Sequence, residues 1–511
     1  MKLNKLIALL LSLVLIVSMM AGCGNQQAAE PPAEETPDAP VSKPVETPAA
    51  DEEEKELVNI KIYTRVAEQE DMATVMEALN AYTAEKIGVT AEWVFLGGTF
   101  AEKIQVIATS GEEYDAAYTS TWMNPYAQGA TKGAFVDLTD LLPEYAPELY
   151  EQLPDYMWDA TRIGGQIYAI PNQQIVARQY SAWVPTEIAE AAEAAGVEVP
   201  ETISALTDLY DLAVFAKENY GTKLASIKTN DIAAHTSYEW INDYLSCGVV
   251  KMGAETPTVV NIYETQEWLD LLHMLYDLNE EGLLDGQIAY DTEYYNSQKL
   301  GMKLTADWSV IHKPGVDAEM SAALGYPATI ITGAKPAYIS TGSVIATMYA
   351  ISSTSKHPIE TLQYFNLLNT DPVALNMLCY GIEGTHYEVV SDTQVRLIEG
   401  SGYAPAANWA FGDTFNAYVL EGQPADANAK TAEINNSAMA STILGFVFDT
   451  EPVKSEIASV SKVVQEYEGL LGGELPVEET NAEFVEKLKI AGIDTVIAEM
   501  QRQVDAFMAS K

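Results

Sequence analysis

The sequence predicts an α/β protein, with sheets flanked by helices in a long globular body and a more helical C-terminal portion. Three observations lead there. Segments of apolar–polar alternation recur between stretches of helical spacing. In the first part of the body the order is strand, helix, strand, helix, strand, which implies a parallel sheet covered by helices. About 455 of the 511 residues follow a low-complexity leader, and with 48% hydrophobic and 9% aromatic residues in the chain they suffice for two or three domains with real cores.

The leader comes first. Lys2 and Lys5 precede an apolar run, Leu6 to Met20, broken only by Ser12 and Ser18. At 15 residues the run is shorter than the ~20 that span a bilayer core, and it reads as an export signal over residues 1–22. Ala21 and Gly22 before Cys23 resemble a bacterial lipobox, in which the cysteine thiol is lipidated and becomes the new N-terminus. An ordinary signal with a chance cysteine, or an uncleaved anchor, is the alternative. Residues 24–56 hold six prolines and ten acidic residues but no aromatic one. Such a segment cannot bury enough apolar area to order itself, so 23–56 is expected to be a lipid-bearing tether. As a flexible coil it would span roughly 30 Å.

The body opens with "LVNIKIYTR" (Leu57 to Arg65), an alternating strand. A helical pattern follows over Asp71–Lys86, then a strand at Val89–Gly97, a helix at Thr99–Gly111 and a strand at Tyr114–Ser120. Ligands of open α/β sheets sit outside the carboxyl ends of the strands. That rim contains Thr64, Arg65, Gly97, Gly98 and Ser120 to Trp122. Further on, strands are expected at Gln166–Gln174, Lys299–Ser309 and Ser343–Ser352, and helices at Ile203–Asn219, Thr265–Glu281 and from Pro358. Thr450 is placed to cap a helix that begins with Glu451 and Pro452 and stops at Gly472 and Gly473. The last helix spans Ile493–Met508, with Val496, Met500 and Val504 on its apolar face.

Composition excludes several functions. The formal charge is −46, and loss of Lys2 and Lys5 with the signal takes it to −48. Such a chain repels phosphate backbones, so no nucleic-acid partner is expected. Its long-range preference for neutral or cationic ligands is weak, because salt screens surface charge beyond about 8 Å. HExxH, GxxxxGK[ST], GxSxG and GxGxxG motifs are absent. The SxxK matches at Ser353 and Ser459 lack their partner motifs, and the five histidines are scattered. No enzyme activity, cofactor or metal is expected. Cys247 and Cys379 are either a disulfide or two buried thiols, and the second is favoured.

What the sequence does offer is aromatic, amide and carboxylate side chains near strand ends. An indole covers the apolar face of a sugar ring, while amides, carboxylates and a guanidinium satisfy its hydroxyl rim. The candidate ligand-binding residues are Arg65, Thr121, Trp122, Gln173, Trp240, Asp307, Trp308 and Trp409, with Cys23 as the lipidation site.

The stretch "FAEKIQVIATSGEEYDAAYTSTWMNPYAQGATKGAFVDLTDLL" (Phe100 to Leu142) resembles the first lobe of extracellular solute-binding proteins of ABC importers, carbohydrate-type family 1. "GGQIYAIPNQQ" is similar to the family's crossing into the second lobe. "LNTDPVALNMLCYGIEGTHYEVV", "NWAFGDTF" and "GFVFDTEPVKSEIASV" resemble a lipoprotein subgroup with an added helical C-terminal region. The resemblance implies a two-lobed periplasmic-binding-protein-like fold (type II), each lobe a sheet flanked by helices, plus C-terminal helices. Lobe 1 is expected from 57–170 plus about 335–395, and lobe 2 from 171–334 plus about 396–511. It also implies a lipid-anchored monomer on the extracytoplasmic face of the cell membrane, capturing a solute, foremost an oligosaccharide, for an ABC permease. A binder of peptides or another polar solute, and an exported glycoside hydrolase, are the other readings.

Overall fold

The computed structural model describes residues 57–242, 245 and 247–511, all within one compact unit, Lys55–Lys511. The export segment, Cys23 and the tether lie outside the described residues.

The first sheet is built as the alternation predicts. Val58–Thr64 lies between Val89–Phe95 and Ala116–Thr119 and runs parallel to both. Helices Met72–Ile87 and Phe100–Ser110 return the chain, and each ends on a left-handed glycine, Gly88 at φ 73° and Gly111 at φ 74°, a conformation that strains any residue with a Cβ. Two antiparallel strands extend this sheet, Met348–Ile351 and then Ile170–Pro171.

The second sheet has six strands, in the order Leu284–Asp285, Lys223–Ala225, Leu304–Ile311, Tyr180–Pro185, Ala328–Gly333 and Thr202–Ile203. Beside it, Tyr238–Trp240, Gly248–Lys251 and Val260–Asn261 form a small antiparallel sheet. Several local expectations shift: the strand expected at Gln166–Gln174 is two short pieces, Gln166–Ile167 and Ile170–Pro171, and Ile203 ends a short strand, with the α-helix starting at Tyr210. The strand at Lys299 starts only at Leu304, because Thr292–Leu300 is helical and Met302 turns the chain at φ 52°. The strand at Ser343 starts at Met348, since Thr341–Val344 forms a helical turn capped by Ser340. Thr450 makes no side-chain cap, and a short 3-10 turn, Glu451–Val453, precedes the helix Lys454–Glu466.

Two large apolar cores correspond to the two main sheets. One draws on residues up to Ala177 and again from Ile339 to Ala417; the other on Ala182 to Ile331 and again from Ile443 to Val504. The last passage into the second core therefore falls between Ala417 and Ile443, later than the expected position near 395. The reason is burial: Ala407, Ala410 and Phe411 pack into the first core, with the Phe411 ring 6.1 Å from that of Trp93. The C-terminal helices Lys454–Glu466, Val477–Ala491 and Ile493–Ser510 bury Val460, Val464, Phe484, Leu488, Val496, Met500 and Val504 in the second core. Cys247 and Cys379 are free and buried.

Three chain passages lie side by side between the cores. Arg178 and Tyr338 exchange backbone hydrogen bonds of 2.7 and 3.1 Å. Tyr338–Ile339 pairs in parallel with Met439–Ala440. Asn435 fixes the first passage from the side, its Oδ1 accepting from the Val176 and Ala177 amides and its Nδ2 donating to the Gln174 carbonyl at 2.7 Å.

Candidate ligand-binding site

Where these passages meet, a cavity of about 290 Å³ opens between the two sheets. Thr121 and Trp122 form its wall on the first lobe. They sit on the loop after Ala116–Thr119, and that loop is tied to itself. The Thr119 hydroxyl donates to the Asn124 carbonyl (2.6 Å), the Met123 amide to the Ser120 hydroxyl (2.8 Å), and the Asn124 side chain to the Tyr118 carbonyl (2.8 Å). The Trp122 indole N–H donates to the Ala346 carbonyl at 2.8 Å, which leaves the ring rather than the N–H for a ligand.

Arg65 lies between two indoles, its guanidinium 4.9 Å from the Trp122 ring and 5.0 Å from the Trp409 ring. Stacking of this kind fixes a planar cation at low entropic cost. The rings continue beneath it, Tyr118 lying edge-on to both Trp122 and Trp409 at 6.0 and 6.5 Å.

The opposite wall carries Asn230, Asp231, Glu239, Trp240 and Trp308. Trp308 is 4% exposed, and its N–H donates to the Tyr180 carbonyl at 2.9 Å. A Cβ on Gly333 would overlap that same carbonyl, so the close approach requires glycine there. Glu239 is buried, and its Oε1 accepts from the Tyr338 hydroxyl and from the Ser441 hydroxyl (2.7 Å). Trp240 is 6% exposed, and its buried Nε1 has no hydrogen-bond partner among the described residues.

Burial sets the charge states here. Desolvation, then the neighbouring Asp307 charge, push the Asp231 carboxyl up to about 6, against the pull of Lys228. Burial draws the Lys335 amine down to about 8, opposed by Glu267, while its Nζ donates to the Ala234 and Thr236 carbonyls at 2.8 Å. Burial, reinforced by Lys335, holds His235 down at about 3, so the ring packed edge-on against Trp308 at 4.7 Å is neutral near pH 7.

Of the residues expected from sequence, Thr121, Trp122, Trp240 and Trp308 line the cavity. Arg65 stands behind Trp122, and Trp409 supports Arg65. Asp307 does not face the cavity. Neighbouring strand residues point to opposite faces, so when Trp308 faces the cleft Asp307 turns into the other side of the sheet, accepting from the Tyr295 hydroxyl (2.6 Å) and the Trp183 N–H (3.3 Å). Gln173 is also outside the lining; its carbonyl accepts from the Thr414 amide at 2.8 Å. Gly97 and Gly98 of the expected rim are likewise absent from it. Sequence reasoning missed Asp231, Glu239, Arg178, Tyr338 and Lys335. A signal existed for Glu239, which lies between the two aromatics of "YEW", but among 74 acidic residues it did not stand out.

Among the described residues no three His, Cys, Asp or Glu side chains gather closely enough to hold a metal ion, and no helix is long and apolar enough to cross a membrane.

Comparison with known proteins places the chain. A carbohydrate ABC transporter substrate-binding protein of Streptococcus pneumoniae is 26% identical over 98% of this chain and 97% of its own length. The crystal structure of the N-glycan transport solute binding protein from S. pneumoniae superposes with a TM-score of 0.78 at 24% identity, over 88% of this chain and 99% of that one. The same protein in complex with Man5GlcNAc gives a TM-score of 0.70 at 24% identity, over 89% and 99%. Residues 442–509 match a domain of unknown function, DUF3502. Residues 67–374, more than half the chain, match the family model for bacterial extracellular solute-binding proteins, and it is to that family that the chain belongs.

Proposed function

We propose that this protein captures an oligosaccharide in the cavity between its lobes and delivers it to an ABC permease, working as a monomer held to the extracytoplasmic face of the membrane by lipid on Cys23. The observation that carries the reading is the pairing of flat aromatic faces with polar side chains across one cavity. Trp122, Trp240 and Trp308 line it together with Asp231, Glu239, Arg178 and Lys335. Indoles take the CH faces of sugar rings, and the polar groups take the hydroxyls. Thr121, Trp122, Trp240 and Trp308 are the contact residues in this reading, with Arg65 acting through Trp122 and Trp409 through Arg65. A ligand that touches both walls stabilises the arrangement in which they approach, and only that difference in affinity can shift the passages between the lobes. The relatives that carry carbohydrate names support the ligand class.

Calorimetry against a panel of Man1GlcNAc, Man5GlcNAc, fructans and peptides tests it. Binding confined to peptides would sink the sugar assignment, and turnover of any glycan by the purified protein would replace it with a hydrolase. Cys23→Ala is expected to release the protein from membranes without changing ligand affinity, as measured by fractionation and calorimetry. Two acyl chains are needed for stable retention, and lipid analysis of the membrane-bound form counts them.

A further inference from the structure

The opening of the C-terminal region touches both cores. Its side chains divide between them: Ile443, Phe446 and Phe448 are buried in the second core, while Leu444 and Val447 pack against the first. They stand at the start of residues 442–509, the part matched by the domain of unknown function. Gly445 lies among them at φ 90°. A Cβ there would stand 3.1 Å from the Asp159 carbonyl oxygen and 3.6 Å from the Phe507 ring. Asp159 belongs to the helix Asp155–Thr161, which buries Met157, Trp158 and Ala160 in the first core. Phe507 belongs to the helix Ile493–Ser510, which buries Val496, Met500 and Val504 in the second. The segment is thus held between one helix of each lobe.

Further contacts fasten it to the same two sides. The Gly445 amide donates to the Thr341 hydroxyl at 2.9 Å, and that hydroxyl donates to the Ile443 carbonyl at 3.4 Å. Thr341 begins the helical turn that carries Val344 into the first core. On the other side the Phe446 ring meets the Phe507 ring edge-on at 5.6 Å, and the Lys511 Nζ donates to the Thr442 carbonyl at 3.1 Å. Separation of the lobes at this point must break one set of contacts. If the segment follows the second core, Leu444 and Val447 pass into water; if it follows the first, Ile443, Phe446 and Phe448 do. Either path costs free energy in proportion to the apolar area exposed.

We infer that this segment is an interlobe strap, by which the C-terminal region limits how far the empty lobes separate and so keeps a larger fraction of the protein ready to bind. The strap does not depend on what the ligand is; its effect on affinity rests on the oligosaccharide reading.

Leu444→Ser tests it, because Leu444 packs against the first core and is not among the described residues that line the cavity. Small-angle scattering of the ligand-free, full-length variant is expected to give a larger radius of gyration than the parent. Calorimetry with Man5GlcNAc is expected to give an affinity weaker by about five-fold or more, with the melting curve checking the fold. Should that variant misfold, Gly445→Ala sets a Cβ against Asp159 in a conformation that strains every residue but glycine, and carries the same expectation. Val504→Ala thins the second core alone, and is expected to lower the melting temperature while leaving the ligand-free radius at the parent's value. An unchanged radius in the folded strap variants, or an equal increase in Val504→Ala, overturns the strap. A larger radius with unchanged affinity overturns its link to binding. If Man5GlcNAc does not bind the parent, the affinity arm falls with the oligosaccharide reading, and the ligand-free radius still decides the strap.

Discussion

On the first-lobe side of the cavity, Trp122 and the Arg65 behind it rest on a run of aromatic rings, and among the described residues no carboxylate lines the wall. On the second-lobe side, Asp231 and Glu239 are set among Trp240, Trp308 and the passages between the lobes. Both walls are held by partners remote in the chain, Trp122 by the Ala346 carbonyl 224 residues away and Glu239 by Tyr338 and Ser441, 99 and 202 residues away. They differ in what they bury: the first offers a flat ring backed by a stacked cation, the second a carboxylate. Aromatic rings pack without specific partners, whereas a buried carboxylate must find donors or lose its charge. The first wall should therefore tolerate substitution in the fold and fail mainly in binding, while the second should fail in both.

The largest expected effect contrasts two tryptophans. Trp308→Ala removes an indole that is 4% exposed and should lower stability by about 3–5 kcal/mol in denaturant titration. Trp122→Ala, at a half-buried position, should lower it by less than half as much, while both variants lose glycan binding. Equal losses of stability would break the contrast between the walls.

Next comes Glu239→Ala, which leaves the Tyr338 and Ser441 hydroxyls without their acceptor. At about 1–3 kcal/mol for each orphaned buried group, the unfolding midpoint should fall clearly, and Glu239→Gln, which keeps an acceptor oxygen, should fall less. An unchanged midpoint for the alanine variant would mean that the wall does not rest on this carboxylate.

A third effect depends on pH. The Asp231 carboxyl titrates near 6 in the folded protein against 3.8 ordinarily. Between those values the folded state holds more protons than the unfolded state, so this group's contribution to stability falls as pH rises through that window and stays low above it. Asp231→Asn should remove the dependence, making the variant more stable than the parent by about 1–3 kcal/mol at pH 7 and nearly equal to it at pH 4. His235 works in the opposite direction: its folded value near 3 lies below the ordinary 6.5, so its contribution is present above that window and lost as pH falls through it. Melting curves of the Asp231 variant against the parent separate the two.

The smallest effect is expected at Arg65. Arg65→Gln removes a cation stacked between two indoles, an interaction worth about 0.5–2 kcal/mol. The fold should persist and glycan affinity should drop several-fold in calorimetry. Arg65→Lys should not restore it, because an ammonium lacks the planar fork.

Local periodicity determined much of this protein without reference to its three-dimensional packing. Alternation in "LVNIKIYTR" and helical spacing in the segments after it specify the first parallel sheet, because side-chain direction repeats every two residues in a strand and every 3.6 in a helix. The same reasoning brings Arg65, Thr121 and Trp122 to one rim, since strand ends of a parallel sheet share an edge. The charge and the apolar-to-acidic leader are likewise properties of composition. Tertiary structure decided the rest. Only the packing of the second sheet selects Trp308 rather than Asp307 for the cleft, for alternation separates the two without saying which faces inward. Only the late passage of the chain between Ala417 and Ile443 brings Ser441 to Glu239 and sets Phe446 and Phe448 beside Trp240. Contacts between residues hundreds of positions apart leave no periodic trace in the sequence, because they arise from the burial of whole elements and not from the order of side chains along any one of them.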